Sequence, residues 1–439
     1  MSALASSFIP ELGAPCRGKV RDIYDGEQAL MMIASDRISV FDRTLNEPIQ
    51  GKGNVLTELS RYWFDQTSDL ILNHMESMPD PRVMIVKKCR PLMVEVIVRG
   101  YLVGSLWRDY QAGKREKCGE PIPDGLKEND PLPQPLLTPT TKSQGGHDED
   151  ITKKELIDQK IVTKDHWEEI ASIAFKLFER GRAILKERGV ILVDTKYEFG
   201  VDAEGKLRLI DEIHTPDSSR FWFQEDVAIQ ELRFPDKEFV RQWARSIGFT
   251  GEGKVPPIPE AMQKKIKEEY AKVFRKITGK SPQQEAASTG TMVVRNLKRA
   301  GLIRGKFVLI LAGSEKDQLH IDKIEATLSE AGIPQRTIVA SAHKHPAKVA
   351  QLIAEYNASL EPIVCITVAG RSNALSGVVA ANLRWPVIAC PPFKDHADYL
   401  TNIHSSLQMP SLVPVMTVVD PKNSALAAAR ILQTMNVDL

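Results

Sequence analysis

From Lys306 onward the chain alternates short apolar runs with amphipathic stretches, and few patterns restrict a fold more tightly. FVLILAG leads into a helical stretch from Gln318 to Ala331 with Ile321, Ile324 and Leu328 on one face. RTIVASA leads into a second, His345 to Tyr356, whose Val349, Leu352 and Ile353 share a face. IVCITVAG, PVIAC and VPVMTVV continue the alternation, and a last helix is expected from Asn423 to Met435. Strands that are apolar on both faces and separated by helices predict a parallel sheet covered on both sides, a three-layer α/β/α domain. Such sheets bind ligands beyond the carboxyl ends of their strands. Three polar loops fall there: Gly313-Ser314-Glu315-Lys316-Asp317, Ser341-Ala342-His343-Lys344-His345 and Gly370-Arg371-Ser372-Asn373. Each offers backbone N–H groups at a helix start, which is an anion site.

The first 300 residues follow another pattern, centred on Ile191 to Trp222. Two apolar runs flank the turn Asp202-Ala203-Glu204-Gly205, the signature of a hairpin. Asp194, Lys196 and Glu198 alternate onto one face, and Leu207 and Leu209 lead to Asp211, which can lie opposite Glu198. Facing carboxylates repel unless a proton or cation lies between them. Hard oxygen ligands beside a lysine suit Mg²⁺ carrying nucleotide phosphates, although a solvated hairpin face would show the same spacing. Asp217, Ser218, Ser219 and Arg220 then cluster polar, anion-seeking groups directly after the hairpin.

Upstream, GKVRDIYDG and ALMMIASD read as strands around Asp25-Gly26, with Lys19 and Arg21 on one face, a hairpin able to cover a triphosphate. SDRISVFD and QGKGN read as polar loops. Arg82 to Val103 gives two strands joined through Cys89-Arg90-Pro91, where Pro91 leaves backbone groups free to meet a base edge. Arg99 ends a nearly all-apolar strand and needs a carboxylate or phosphate partner there. Lys114 to Asp150 lacks apolar periodicity and reads as a lid, with Lys142 and His147 available to a ligand. Asp165 to Gly189 reads as an amphipathic helix, Asp226 to Gly279 as mostly helical and charged, and Lys280 to Ala300 as a linker.

At 439 residues two or three domains are expected. We divide the chain at 1–279 (an ATP-binding part of about 8–110 and a central part of about 111–279), a linker at 280–305, and 306–439. Lys+Arg 58 against Asp+Glu 57 gives no basic excess, which argues against a nucleic-acid partner. No apolar run of roughly 18 residues suggests a membrane span. The first residues show no basic segment ahead of an apolar one, so no signal peptide is expected. Five scattered cysteines form no metal pattern and no disulfide framework, which fits a reducing cytoplasm.

GKVRDIY, SDRISVFD, VEVIVRGYLVGSLW, TPTTKSQGGHDED, ILVDTKYEFG and DEIHTPDSSRFW, in that order, resemble the SAICAR synthetase (phosphoribosylaminoimidazole-succinocarboxamide synthase) family. From Lys306, GSEKD, SAHKHP, AGRSNALSG and NSALAAARIL are similar to the AIR carboxylase family. Lys344 and the AGRSN loop resemble the class that takes up CO₂ directly. The resemblance implies an α/β multidomain chain: an ATP-grasp or kinase-related α+β first part and a flavodoxin-like second part. It implies ATP contacts from Lys19, Arg21 and Lys88, and Mg²⁺ held by Glu198 and Asp211. Asp36, Arg99, Ser105, Lys196, Asp217 and Arg220 would surround the imidazole carboxylate, its ribose phosphate and L-aspartate, with Lys196 and Arg99 closest to the chemistry. In the second part His343 would move the proton, while Ser314, Asp317, Ser341, Lys344, Arg371 and Ser372 would hold phosphate and carboxylate. The implied reactions are AIR plus CO₂ to CAIR, then CAIR plus aspartate and ATP to SAICAR, in a homo-oligomer, an octamer, built through the second part. One position departs from the family's usual GS-x-S-D: Lys316 stands where a second serine is common. That departure leaves open a second reading, a monofunctional ligase whose C-terminal domain only binds and oligomerises.

Overall fold

The structure, a computed structural model, describes residues 3–142, 149–282 and 289–435. Its contacts group into two compact units, one of Arg17–Ala286 with Ser2–Ser6, the other of Ala287–Leu439 with Ser7–Cys16.

In the first unit an antiparallel sheet is built from β1 (Arg21–Asp25), β2 (Ala29–Ala34), β3 (Met75–Asp80) and β4 (Val83–Lys87), lying in the order β1-β2-β4-β3. The turn between β1 and β2 closes with Gly26 N–H donating to the Ala29 carbonyl at 3.1 Å. Helix α1 (Lys52–Gln66) crosses the end of β2 so closely that a Cβ on Gly53 would lie 2.4 Å from the Ala34 carbonyl oxygen. Lys52, Gly53 and Asn54 of QGKGN, read as a loop, are therefore the first turn of a helix.

The central sheet runs β6-β5-β7-β8, from β5 (Cys89–Tyr101), β6 (Pro131–Thr141), β7 (Val190–Asp202) and β8 (Leu207–Ile210), with β9 (Ser219–Phe223) also paired to β7. Pro91 sits within β5, opposite Gly200 of β7, so it is part of a ladder and not of a free connection. The proposed lid is corrected more deeply. Residues 131–141 form the edge strand β6, and Thr140, Thr138 and Leu136 pair with Glu95, Ile97 and Arg99 of β5. Four prolines in eleven residues hid it from a periodicity reading; an edge tolerates them because one side of the strand needs no N–H donors. His147 lies outside the described residues.

Helix α2 (Gly104–Gln111) follows β5, and α3 (Lys164–Lys186) covers the central sheet, burying Trp167, Ile170, Ala174, Leu177, Phe178 and Leu185. Each fully buried Ile, Leu or Phe of this set contributes roughly 1.5–3 kcal/mol. The Thr163 hydroxyl caps α3 by accepting from His166 N–H, and Gly189, at φ +69°, ends the turn that follows. Helices α4 (Lys237–Ser246) and α5 (Glu260–Thr278) also belong to this unit.

The second unit begins with α6 (Thr289–Arg299), which buries Val293, Val294 and Leu297. Much of the expected linker is thus helix. Residues Ser7–Cys16, read as part of the first domain, group here instead: the Phe8 ring meets Tyr356 edge-on at 5.4 Å, and Leu360 N–H donates to the Phe8 carbonyl at 2.9 Å. Strands β10 (Phe307–Ala312), β11 (Gln335–Val339), β12 (Ile363–Val368), β13 (Val387–Ala389) and β14 (Met416–Thr417) form an all-parallel sheet in the order β11-β10-β12-β13-β14. Leu309, Leu311, Ile363 and Cys365 share one core with α8 (Pro346–Asn357) and α9 (Ala374–Asn382). Val308, Ile310, Val364 and Ile366 share the other with α7 (Gln318–Glu330) and α11 (Pro421–Thr434), while α10 (His396–Leu407) follows β13. This is the three-layer sheet that the sequence pattern predicts, in the flavodoxin-like form that the resemblance implies.

Candidate active sites

In the first unit a cavity of about 590 Å³ opens over the central sheet. Period-two alternation turns Asp194, Lys196 and Glu198 of β7 into it, beside Glu95, Ile97 and Arg99 of β5. The register pairs Glu198 with Glu95, Lys196 with Ile97 and Asp194 with Arg99. Lys196 Nζ bridges Glu95 and Glu198, and Glu198 also takes Lys142. Burial opposes the charge on Lys196, yet Glu198, Glu95 and Asp211 raise its pKa well above the ordinary value. Burial likewise pushes Glu198 up, and Lys196 and Lys142 more than reverse it.

The register corrects one expectation: Ile210, not Asp211, stands opposite Glu198. Asp211 lies one residue past the strand at φ +69°, and its carboxylate meets Arg21, whose other nitrogen reaches Glu212 at 3.0 Å. Glu198 and Asp211 nevertheless line the same cavity. Among the described residues no group of three or more His, Cys, Asp or Glu is arranged for a metal. Two carboxylates without a cage fit Mg²⁺, which is commonly held by one or two carboxylates together with substrate phosphates.

A cationic end of the cavity forms at α2. Arg99 Nε donates to Thr138 Oγ1 at 2.8 Å, Ser105 lies in the first turn of α2, and Arg220 donates to Asp194. Backbone N–H groups at a helix start, a hydroxyl and two guanidinium groups are the kinds of group that suit an anion. Beside it Asp217 accepts from Lys52 Nζ and the Tyr270 hydroxyl, both at 2.7 Å, with Lys237 at 3.4 Å. Burial would raise its pKa, but Lys237 and Lys52 hold it well below the carboxylate range.

Of the residues singled out from sequence, Lys19, Arg21, Arg99, Ser105, Lys196, Glu198, Asp211, Asp217 and Arg220 line this cavity. Asp36 and Lys88 do not. The Asp36 carboxylate is fully buried and accepts from Leu4 N–H and Gly53 N–H, so it ties down the start of α1. Lys88 pairs with Asp25 at 2.5 Å. Sequence reasoning missed Glu95, Glu212, Lys237 and Arg241, which also line the cavity. For Lys237 and Arg241 a signal existed, since cations four apart share a helical face.

In the second unit the three loops extend from β10, β11 and β12, with β10 between the other two, at the point where the strand order reverses. Ala340 N–H donates to the Ala312 carbonyl and Gly313 N–H to the Val368 carbonyl, both at 2.8 Å, which holds the loops side by side. Ser314 Oγ accepts from Lys316 N–H at 3.2 Å, and Ser341 Oγ from Lys344 N–H at 3.3 Å. Arg371, at φ +61°, donates its N–H to Asn402 Oδ1 at 2.6 Å. His343, Lys344, Arg371 and Ser372 are exposed, while Ser314, Asp317 and Ser341 are half-buried. Partial burial raises the Asp317 pKa, with Lys394 opposing. Lys316 is exposed, and its backbone still joins the Ser314 cap.

The SAICAR synthetase family model matches residues 15–258, and the AIR carboxylase model matches residues 307–439. A phosphoribosylaminoimidazole-succinocarboxamide synthase of Cytophaga hutchinsonii is 42% identical over 292 residues, which is 65% of this chain and 94% of that protein. A SAICAR synthase structure from Saccharomyces cerevisiae, complexed with SAICAR, is 31% identical with a TM-score of 0.57 and covers 64% of this chain and 100% of its own. A type-2 SAICAR synthetase in complex with ADP is 27% identical with a TM-score of 0.50, over 62% of this chain and 100% of its own. The chain belongs to the SAICAR synthetase family and carries an AIR carboxylase domain behind it.

Proposed function

We propose that the chain performs two steps of purine biosynthesis, the carboxylation of AIR with CO₂ to CAIR and the ATP-dependent ligation of CAIR with L-aspartate to SAICAR, ADP and phosphate. The observation that carries the ligase reading is the meeting, in one cavity, of two metal-suited carboxylates with a cationic end at Arg99, Ser105 and Arg220. The CAIR carboxylate attacks the γ-phosphate of ATP to give an acyl phosphate, and the aspartate amine then displaces phosphate. In-line phosphoryl transfer asks for positioning and charge neutralisation, not for a covalent nucleophile from the protein. Mg²⁺ held by Glu198 and Asp211 would neutralise charge on the transferring group. Lys19 and Arg21 line the triphosphate side. Lys196 keeps its proton between Glu95 and Glu198, so it acts as a fixed charge and donor and not as a base. Arg99, Ser105 and Arg220 hold the ribose phosphate, and Asp217 and Lys237 face the remaining polar groups.

In the second unit the ring carbon of AIR attacks CO₂, and a proton then leaves that carbon. His343, exposed beside the two other loops, takes that proton. Ser314, Asp317, Ser341, Lys344, Arg371 and Ser372 hold the phosphate and the carboxylate. The exposed Lys316 leaves the Ser314 cap intact, and the binding-module reading gains nothing from the loop. Exposed Val378, Leu400, Leu407 and Leu412 on this unit support self-association, with an octamer the state the resemblance implies. A cytoplasmic site fits five free cysteines and the absence, among the described residues, of a helix long and apolar enough to cross a membrane.

The test uses purified full-length protein with two substrate sets. AIR with bicarbonate should yield CAIR, and CAIR with ATP, Mg²⁺ and aspartate should yield SAICAR. Ligase turnover without AIR consumption would leave the monofunctional reading standing.

A further inference from the structure

We propose that Glu238 is a positioning residue for the ligase half: from outside the catalytic cavity its carboxylate fixes Arg220 in the cavity wall. Glu238 is only 7% exposed and does not line the cavity. Its Oε1 accepts from Arg245 Nη1 at 2.7 Å, while Oε2 lies 3.4 Å from Arg241 Nη1 and 3.6 Å from Arg220 Nη2. Arg220 and Arg241 both line the cavity, so one buried carboxylate faces two of its arginines.

Arg220 meets two carboxylates through different nitrogens. Its Nη1 pairs with Asp194, which lines the cavity, and its Nη2 faces Glu238, which does not. The guanidinium also lies against Gly104, where a Cβ would come 2.5 Å from Nη2. Gly104 begins α2 and directly precedes Ser105, so the guanidinium is set in register with the anion site at that helix start. Asp194 alone fixes the group less well, because it also lies 3.7 Å from Arg99 Nη1 and divides its charge between two arginines. The origin of the Glu238 side chain is fixed in turn: Glu238 N–H donates to Asp236 Oδ1 at 2.7 Å, the cap of α4. The support is therefore in place before any ligand arrives, which is what an accurately placed binding group needs.

The proposal rests on the reading that Arg220 holds the anionic end of CAIR. A phosphate contact far from the reacting carboxylate acts equally on ground and transition states, so loosening it raises KM and spares kcat. Steady-state kinetics of the full chain with CAIR, ATP and aspartate test this with three variants. Arg220→Lys probes the reading itself and should raise KM for CAIR by about tenfold or more, because lysine cannot reproduce a planar fork. Glu238→Gln should raise KM for CAIR by about tenfold, with kcat within about twofold and KM for ATP unchanged. Glu238→Asp keeps the charge but withdraws it by one methylene, and should give an intermediate KM; it reads the same effect if the glutamine variant does not fold. If Arg220→Lys leaves KM for CAIR unchanged, the placement of phosphate at Arg220 is wrong. If Arg220→Lys raises KM but both Glu238 variants keep the wild-type value, the positioning role is overturned. A fall in kcat with KM for CAIR and ATP rising together would also overturn it, as the mark of a merely structural residue.

Discussion

Two buried carboxyl groups, treated oppositely by their surroundings, show how single residues set this protein's stability. Asp217 carries its charge inside the first unit because Lys52, Lys237 and Tyr270 surround it. Removing one partner of such a pair leaves an uncompensated charge, which is far worse than never having built the pair. Lys52→Met should therefore destabilise the first unit by about 3–5 kcal/mol, read as a lower urea midpoint of that unit's transition. A midpoint equal to wild type would mean that Asp217 has other support. Glu361 in the second unit has no such partner among the described residues: one oxygen accepts Glu11 N–H at 2.8 Å and the other is buried with no hydrogen bond from any of them. Burial raises its pKa from 4.5 to about 8. Because the folded value lies above the unfolded one, its stabilising contribution is complete below about pH 4.5 and is lost as pH rises toward 8. The slope is at most about 1.4 kcal/mol per pH unit. The second unit of wild type should melt at a lower temperature at pH 8.5 than at pH 6, and Glu361→Gln should flatten that dependence. An equally steep dependence in the variant would assign the titration elsewhere.

At the scale of elements, what was legible in the sequence depended on whether one period governed the segment. The strands of the second unit are apolar on both faces and its helices carry clear stripes, so Ile321, Ile324, Leu328, Val349 and Ile353 all lie in the cores where periodicity puts them. The alternation of Asp194, Lys196 and Glu198 was equally readable, because period two is a property of the extended backbone itself. Asp211 was misread by one position, since nothing local announces a residue that leaves its strand at positive φ. Residues 131–141 were misread for a different reason: their strand is specified by the partner β5, and the prolines that argue against a strand are harmless only at an edge. Asp36 and Lys52 show the same limit, as charged residues whose buried partners lie far along the chain. The corrected role of β6 gives a prediction. Amides of Leu136, Thr138 and Thr140, on the side of β6 that pairs with β5, should exchange slowly in the ligand-free protein, close to those of β5, because they belong to the central sheet. Rapid exchange there, slowed only by nucleotide and CAIR, would restore the lid.

The whole molecule is two units with separate apolar cores, and each candidate site draws its residues from one unit alone. The two activities should then be separable by substitution. Glu198→Gln removes a charge from the metal-suited pair and should lower ligase turnover by roughly 10² or more while AIR carboxylation continues. His343→Asn keeps polarity and approximate size but cannot accept the proton, so it should abolish conversion of AIR to CAIR and leave CAIR-dependent ligase turnover within about twofold. Lys316 decides what an inactive wild type would mean. Its side chain is exposed and its backbone already serves the Ser314 cap, so Lys316→Ser should alter carboxylation by no more than about threefold if the site tolerates the lysine. A wild type silent with AIR that gains turnover as Lys316→Ser would show that the lysine disables the loop, and the second unit would be a binding module in its present form. A His343→Asn protein that carboxylates AIR at the normal rate would remove the histidine from the chemistry. Proton removal would then have to be reassigned among the three loops, beginning with Asp317, the half-buried carboxyl whose pKa burial raises.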